Sequence, residues 1–161
     1  MKLRVAILSL AVAALAACAT TPPTPLQGEF SAITPHDATE RDSTGALVRW
    51  GGRVVRVEPQ DNRTCFEMLA TYLDTSGRPH WRTDDVGGRF IACRAGFYDP
   101  AVFERNREVT FTGRIEGYET RKIGGYDYRF PRVAADVVYL WPIREYATVT
   151  RPAPWPWWGW W

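Results

Sequence analysis

The stretch EVTFTGRIE, residues 108–116, alternates apolar and polar side chains more regularly than any other part of the chain. Successive side chains of a β-strand point to opposite faces, so this alternation separates an apolar face from a polar one. The apolar face contains Val109, Phe111, Gly113 and Ile115. The polar face contains Glu108, Thr110, Thr112, Arg114 and Glu116. The pattern predicts a strand that packs on a core with one face and meets water with the other.

Three more β patterns precede this strand. The first starts near Leu47, keeps one phase across Gly51-Gly52 and then changes phase at Val55, so the glycine pair predicts a bulge or a strong coil. Its two faces contain Val48, Trp50 and Val54 on one side and Val55 and Val57 on the other. The second covers residues 65–73, and turn formers follow it at residues 74–79. Its apolar side contains Phe66, Met68, Ala70 and Tyr72. The third begins at Phe90.

Two more elements complete the predicted domain. Asp99-Pro100 suits a helix N-cap and first helical residue, which predicts a short helix over residues 101–105. Gly124-Gly125 predicts a turn into a last strand, whose phase changes at Pro131 after Tyr128 and Phe130. After that change the inward positions are predicted to be Val133, Ala135, Val137, Tyr139 and Trp141.

Five strands with a short helix between the third and the fourth match the element order of an OB-like Greek-key barrel. The predicted fold class is therefore all-β with one short helix, in a five-stranded barrel over residues 46–146. An open antiparallel sandwich is the alternative. Barrels of this type often bind nucleic acid on one face, a function that would require an excess of basic side chains.

Cys65 and Cys93 are expected to form a disulfide. If the second and third strands pair so that these cysteines face each other, Phe66 faces Ala92 and Met68 faces Phe90. Both pairs are apolar, so the hydrophobic pattern and the cysteine pairing agree on one register. The chain-entropy model gives such a bridge about 3 to 4 kcal/mol of stabilisation. A redox role is less favoured, because there is no Cys-x-x-Cys motif.

The first 17 residues predict a lipoprotein signal peptide. A cationic start with Lys2 and Arg4 precedes a short apolar run and small residues, which is the order of a secretory signal. Leu15-Ala16-Ala17-Cys18 resembles a lipobox, so Cys18 is predicted to carry the lipid anchor. Ala19 lacks the acidic side chain that retains lipoproteins in the inner membrane, which indicates the outer membrane with the domain in the periplasm. An ordinary cleaved signal is the alternative.

The segments on either side of the barrel have different compositions. Residues 18–45 are predicted to be the lipidated N-terminus and a flexible linker, because Thr and Pro are frequent after Cys18 and no apolar period is sustained. Lys2 and Arg4 are the only charges of the signal, so the remaining chain has 18 basic and 18 acidic side chains. This balance argues against a nucleic-acid partner.

Residues 147–161 form a tail rich in proline and tryptophan. Its end carries Trp155, Trp157, Trp158, Trp160 and Trp161. Indoles favour the membrane interface, where the ring lies in an apolar environment and the N–H stays hydrated. The tail is therefore predicted to contact either the membrane or an envelope protein partner. The alternative is that it folds back on its own barrel.

No catalytic motif is present in the sequence. It contains no Gly-x-Ser-x-Gly, no His-Glu-x-x-His and no glycine-rich phosphate loop, so no catalytic residue, metal site or cofactor is predicted. His36, His80 and Asp84-Asp85 are interpreted as solvated loop residues. A non-enzymatic envelope protein is the leading hypothesis. The alternative is a periplasmic module in which Tyr126, Tyr128 and Trp141 bind a sugar or peptide from the cell wall.

Several blocks of the sequence resemble the Slp family of outer-membrane lipoproteins. These blocks are VRWGGRVVRV at residues 48–57, GFYDP at residues 96–100, the strand at residues 109–113, YRFP at residues 128–131 and LWP at residues 140–142. The resemblance implies residence in the outer membrane and a link to starvation or acid stress, with no catalytic residues to transfer. The chain differs from the family pattern in the Cys65 and Cys93 pair and in its tryptophan-rich end.

Overall fold

The barrel is closed by five strands. The computed structural model describes residues 21–81 and 86–144. The strands are β1 (Leu47–Pro59), β2 (Arg63–Thr71), β3 (Arg89–Ala95), β4 (Glu108–Ile123) and β5 (Tyr126–Leu140). Their order around the barrel is β1-β2-β3-β5-β4, and β4 pairs with β1 to close it. The β3–β5 pair is parallel and the other pairs are antiparallel. This order confirms the predicted Greek-key barrel and excludes the open sandwich.

The interior of the barrel is filled by large aromatic and aliphatic side chains. Phe66 lies near its centre, with its ring 5.4 Å from that of Phe111 and 5.2 Å from that of Phe103. The predicted inward faces of the first four strands supply most of the rest. These buried residues are Val48, Trp50, Val54, Met68, Ala70, Phe90, Ala92, Val109 and Ile115.

Glycine allows β1 to lie close to β2. A Cβ atom on Gly52 would lie 1.9 Å from the carbonyl oxygen of Leu69, so no larger residue fits in this backbone position. The sequence pattern predicts a bulge at the glycine pair, and this position is wrong. The register between β1 and β2 shifts between Val54 and Arg56, which puts the extra residue at Val55. The glycines provide close contact, and the bulge that follows them changes the phase.

A second bulge corrects the predicted phase of β5. Gly113 pairs with Ala135, and Thr112 pairs with Val137, so Asp136 has no opposite residue on β4. Val138 and Leu140 therefore pack against the core, whereas the prediction had placed Val137, Tyr139 and Trp141 inward. Trp141 is nevertheless buried, because it is covered on the outer side of the barrel.

The predicted helix between the third and fourth strands is absent from the described structure. Residues 96–107 form turns, in which the backbone N–H groups of Val102 and Phe103 both donate to the carbonyl of Asp99. Asn106 then adopts a φ of 70° and donates from its backbone to Val54. Phe103 closes this end of the core, so packing outweighs the propensity for helix. The described α-helix, α1, is Pro35–Glu40 and begins with a capping box at Thr34.

The segment before β1 packs on the barrel, which corrects the extent of the flexible linker. Residues 24–45 contain a 3-10 turn, Thr24–Leu26, and α1. The Leu26 side chain is fully buried, and the backbone carbonyl of Leu26 accepts a hydrogen bond from the Arg49 guanidinium. The indole of Trp50 donates to the carbonyl of Ile33. These contacts join distant sequence positions, so local composition gave no sign of them.

The polar face of β4 is also less exposed than predicted. Thr110 and Thr112 are buried, whereas Arg114 and Glu116 are exposed. The loop after β2 covers Thr110, whose hydroxyl donates to the carbonyl of Gly77. No helix in the described ranges, 21–81 and 86–144, is long and apolar enough to cross a membrane.

Candidate functional site

Both ends of the described chain meet on one side of the barrel. The indole N–H of Trp141 donates to the Thr110 hydroxyl at 2.9 Å, and this hydroxyl donates to the Gly77 carbonyl at 2.8 Å. A Cβ atom on Gly77 would lie 3.7 Å from the Cβ of Pro22. Pro22 therefore lies close to the contact between the loop after β2 and Trp141, the residue that follows β5.

An arginine groove opens beside this contact. We use this name for the cavity of about 390 Å³ whose described lining includes Arg53, Arg78, Arg107, Arg144 and Glu108. Four guanidinium groups and one carboxylate give this lining a formal charge of +3, although the chain after the signal is neutral overall. The groove is therefore a local concentration of positive charge.

Hydrogen bonds hold these arginines in place. Arg78 donates from Nε to Glu108 at 2.7 Å and from Nη2 to the Pro142 carbonyl at 2.7 Å. Arg144 donates to the same Glu108 oxygen at 3.2 Å and to the Pro79 carbonyl at 2.8 Å. Because Glu108 serves both arginines, it cannot neutralise the whole group. The carbonyl acceptors orient the guanidinium groups without cancelling their charge.

The other two arginines are fixed by different contacts. Arg107 donates to the carbonyls of Val102 and Trp141. The guanidinium of Arg53 lies over the ring of Trp81, with its central carbon 4.2 Å from the ring centroid. A stacked guanidinium keeps its edge free to donate hydrogen bonds. The groove is therefore assembled from β1, the loop after β2, the start of β4 and the end of β5.

Asp74 shapes the loop that presents Arg78. Burial of the Asp74 carboxyl favours its neutral form, but hydrogen bonds from the Ser76 hydroxyl and from the backbone of Arg78 and Ser76 outweigh it. The pKa of Asp74 is therefore below its ordinary value. The ionised carboxylate ties residues 74–78 into one turn and fixes the position of Arg78.

A second cleft lies between the segment before β1 and the ends of β1 and β2. Its volume is about 270 Å³, and its lining includes Phe30, Trp50, Tyr72, Leu73 and residues 31–35. Tyr72 had been predicted to face the core with Ala70, but it lies just beyond β2 and is 59% exposed. The cleft therefore combines an apolar floor with an exposed tyrosine at its edge.

Cys65 and Cys93 form a disulfide across β2 and β3. The predicted register is confirmed, since Cys65 faces Cys93, Phe66 faces Ala92 and Met68 faces Phe90. The bridge lies on the outer side of the sheet, where it packs with Ile91 and Phe130 in a small second core. Its position indicates a structural function.

Ion pairs border this second core. Arg121 donates to Glu119 and to Glu58, and Arg132 donates to Glu119 and to Glu116. The hydrogen bond from Arg121 lowers the pKa of Glu119. Burial alone would lower the pKa of Arg121, but its two carboxylate partners raise it. Each of these two guanidinium groups is paired with two carboxylates, in contrast to the arginines of the groove, which share one in its described lining.

The other residues singled out in the sequence have separate positions. Cys18 and the tail tryptophans, Trp155, Trp157, Trp158, Trp160 and Trp161, lie outside the described residues, as does Asp84-Asp85. Tyr126 is exposed, Tyr128 packs on Phe130, and Trp141 belongs to the arginine groove. His36 and His80 lie in different parts of the structure, and within residues 21–81 and 86–144 no group of His, Cys, Asp and Glu could hold a metal ion.

The arginine groove could not be predicted from the sequence. Its four arginines are distributed from position 53 to position 144, and no local motif connects them. The sequence pattern predicts Trp141 as an inward residue of the last strand and as a candidate for ligand stacking, and neither prediction connects it with these arginines. Only the closure of β1 on β4, together with the loop after β2, brings these residues together.

The sequence profile of the Outer membrane lipoprotein Slp family matches residues 15–161. The chain belongs to the Slp family. The matched range includes Cys18 and continues through the barrel to the last tryptophan. The prediction made from the sequence blocks is confirmed, and membership places the chain among outer membrane lipoproteins.

Individual relatives agree with this assignment. The Outer membrane protein Slp of Escherichia coli K12 is 31% identical over 106 residues, which are 66% of this chain and 55% of that protein. The Uncharacterized lipoprotein YeaY of the same organism is 38% identical over 86 residues, which are 53% of this chain and 44% of that protein. The chain thus spans about half the length of these Slp relatives.

One solved structure also resembles the barrel. The small single-stranded DNA-binding protein from Streptomyces coelicolor is 14% identical, with a TM-score of 0.36 and coverage of 60% of this chain and 94% of that protein. A likeness at this level carries no argument about ligands. The assignment of the fold depends on the strand order of the Slp-family chain itself.

Proposed function

We propose that this chain is a non-enzymatic lipoprotein of the outer membrane, anchored through lipid on Cys18, with its barrel in the periplasm. In this proposal it supports envelope integrity or an envelope assembly during starvation or other stress. The observation that supports the proposal most directly is the packing of the chain after Cys18 on the barrel, from Pro22 through Ile33.

This packing limits the distance between lipid and barrel. Cys18 precedes Pro22 by four residues, which span at most about 14 Å when fully extended. Pro22 in turn lies against Gly77 on the barrel surface. A lipid on Cys18 would hold the domain at the bilayer surface, as suits a protein that acts on the membrane or on a neighbouring envelope protein.

Mass spectrometry of the protein purified from outer membranes tests the anchor. The expected product begins at Cys18 and carries a diacylglycerol and an additional acyl chain on its new amino group. A Cys18→Ser variant should be lost from the outer-membrane fraction. A native product that begins elsewhere, without lipid, would contradict the proposal.

Loss of the gene tests the envelope role. Cells that lack the protein should admit more of an impermeant dye during carbon starvation than the parent, and a chromosomal copy should restore the barrier. The Cys18→Ser copy is the matched control, because it supplies the same barrel without the anchor. Equal dye entry in all strains would count against a role in envelope integrity.

A second candidate function is binding of a cell-wall-derived sugar or peptide. The cleft lined by Phe30, Trp50 and Tyr72 favours this alternative, because aromatic side chains suit such ligands. Titration of the protein with soluble peptidoglycan fragments should shift the NMR signals of the cleft. Tyr72→Ala should abolish the shifts, and the exposed Tyr126→Ala should leave them unchanged.

A further inference from the structure

The arginine groove has the chemistry of a phosphate site. Arg53, Arg78, Arg107 and Arg144 line it, with Glu108 as the one carboxylate among its described lining residues. A guanidinium presents paired N–H donors that match two oxygens of a phosphate. Backbone carbonyls and the Trp81 ring already orient these groups, so little conformational entropy remains to be lost on binding.

The course of the chain indicates where that phosphate would come from. Arg78 directly follows Gly77, against which Pro22 lies, and Cys18 is four residues before Pro22. At the other end, Arg144 lies three positions before residue 147, where the tryptophan-rich tail begins. The groove is therefore close in space to Pro22, which follows the proposed lipid attachment, and close in sequence to a segment whose composition suits the membrane interface.

We propose that the arginine groove binds the headgroup phosphates of membrane phospholipids and thereby turns this side of the barrel toward the bilayer. The proposal rests on the proposed lipid anchoring and adds an orientation to it. An acyl anchor alone fixes distance but leaves the domain free to rotate. A positively charged groove at the same side would favour one orientation, because anionic lipids attract arginine near the surface.

Vesicle binding without the lipid anchor tests the groove by itself. The protein is the chain from residue 18 to residue 161 with Cys18→Ser, and its partition is compared between two kinds of vesicle. One kind contains phosphatidylethanolamine and phosphatidylglycerol, and the other contains a galactolipid that has no phosphate. The quantity measured is the excess binding, which is the binding to phospholipid vesicles minus the binding to galactolipid vesicles. Binding of the tail that is equal for the two kinds of vesicle cancels in this difference.

Two charge-matched double variants separate the groove from general electrostatics. Arg53→Gln with Arg144→Gln should lower the excess binding by roughly tenfold or more. The control is Arg56→Gln with Lys122→Gln, whose parent side chains are 57% and 67% exposed and lie outside the groove lining. This control should retain most of the excess binding.

A conservative variant keeps the test valid if the double variant folds poorly. Arg53→Gln alone removes the arginine that stacks on Trp81, and it should lower the excess binding by about fivefold. Thermal unfolding of each variant accompanies the binding data. Equal losses in the groove and control variants, or no excess binding by the parent, would overturn the proposal. Because the anchor is absent, neither result depends on lipidation of Cys18.

Discussion

The indole N–H of Trp141 donates to the hydroxyl of Thr110, which is itself held by the carbonyl of Gly77. This buried chain of hydrogen bonds joins the end of β5 to β4 and to the loop after β2. Trp141 thus lies on the outer side of the barrel and is still excluded from water. The relationship determines where the C-terminal tail leaves the domain and how the groove is closed on one side.

Thr110→Val should therefore destabilise the fold by about 1 to 3 kcal/mol, because it leaves the indole N–H and a carbonyl without their partner. Thr112→Val is the matched control on the same face of β4, since Thr112 is also buried. Thr112→Val should lower the free energy of unfolding by less than about 1 kcal/mol. Urea unfolding measures both, and equal costs would show that the hydroxyl of Thr110 has no special importance.

Gly52→Ala should destabilise the barrel by about 3 kcal/mol or more, because its Cβ would overlap the Leu69 carbonyl and separate β1 from β2. Gly125→Ala is the control, since a Cβ there meets nothing within 4 Å and its φ is not in the left-handed region. It should change stability by less than about 0.5 kcal/mol. Thermal unfolding distinguishes the two, and a fully stable Gly52→Ala barrel would contradict the close packing of β1 and β2.

Removal of the disulfide with Cys65→Ala and Cys93→Ala should lower the free energy of unfolding by about 3 to 4 kcal/mol. The bridge closes a sequence separation of 28 residues, and its loss enlarges the unfolded ensemble. The wild-type protein in reductant should unfold at about the same urea concentration as the double variant. A loss below about 1 kcal/mol, or two free thiols in the native protein, would contradict this.

Acid should destabilise the turn that presents Arg78. The pKa of Asp74 is lower in the folded state than its ordinary value of 3.8, so the folded state favours the ionised form. The resulting stabilisation is fully present above the ordinary value and is lost as the pH falls through the lower, folded value. Asp74→Asn should unfold more easily at neutral pH and show a smaller loss on acidification than the parent. An equal loss of stability in the parent and in Asp74→Asn as the pH falls would contradict this role of Asp74.

The sequence predicted the strands and one register well, because these depend on local alternation. The facing of Cys65 with Cys93 followed from matching two apolar pairs, and the structure has that register. The bulges at Val55 and Asp136 were not predictable, since each depends on the partner strand. Because the bulge at Asp136 was not predicted, the predicted side of Trp141 was wrong.

The candidate site could not be predicted for a related reason. Burial of Thr110 and assembly of the arginine groove depend on the loop after β2 folding over β4. The binary pattern of β4 contains no information on that loop. Leu26 likewise occurs in a Thr- and Pro-rich segment whose composition suggested a free linker, yet it is completely buried.

The orientation of the barrel on the membrane is the most direct test of the whole account. A fluorophore is placed on an introduced cysteine at Ile143 or at Tyr126, which are 73% and 69% exposed in the structure, in lipidated protein on phospholipid vesicles. Ile143 lines the arginine groove, and Tyr126 lies at the turn between β4 and β5. A quencher on the lipid headgroups should quench the fluorophore at position 143 strongly and the one at position 126 weakly. Equal quenching, or stronger quenching at position 126, would contradict the proposed orientation.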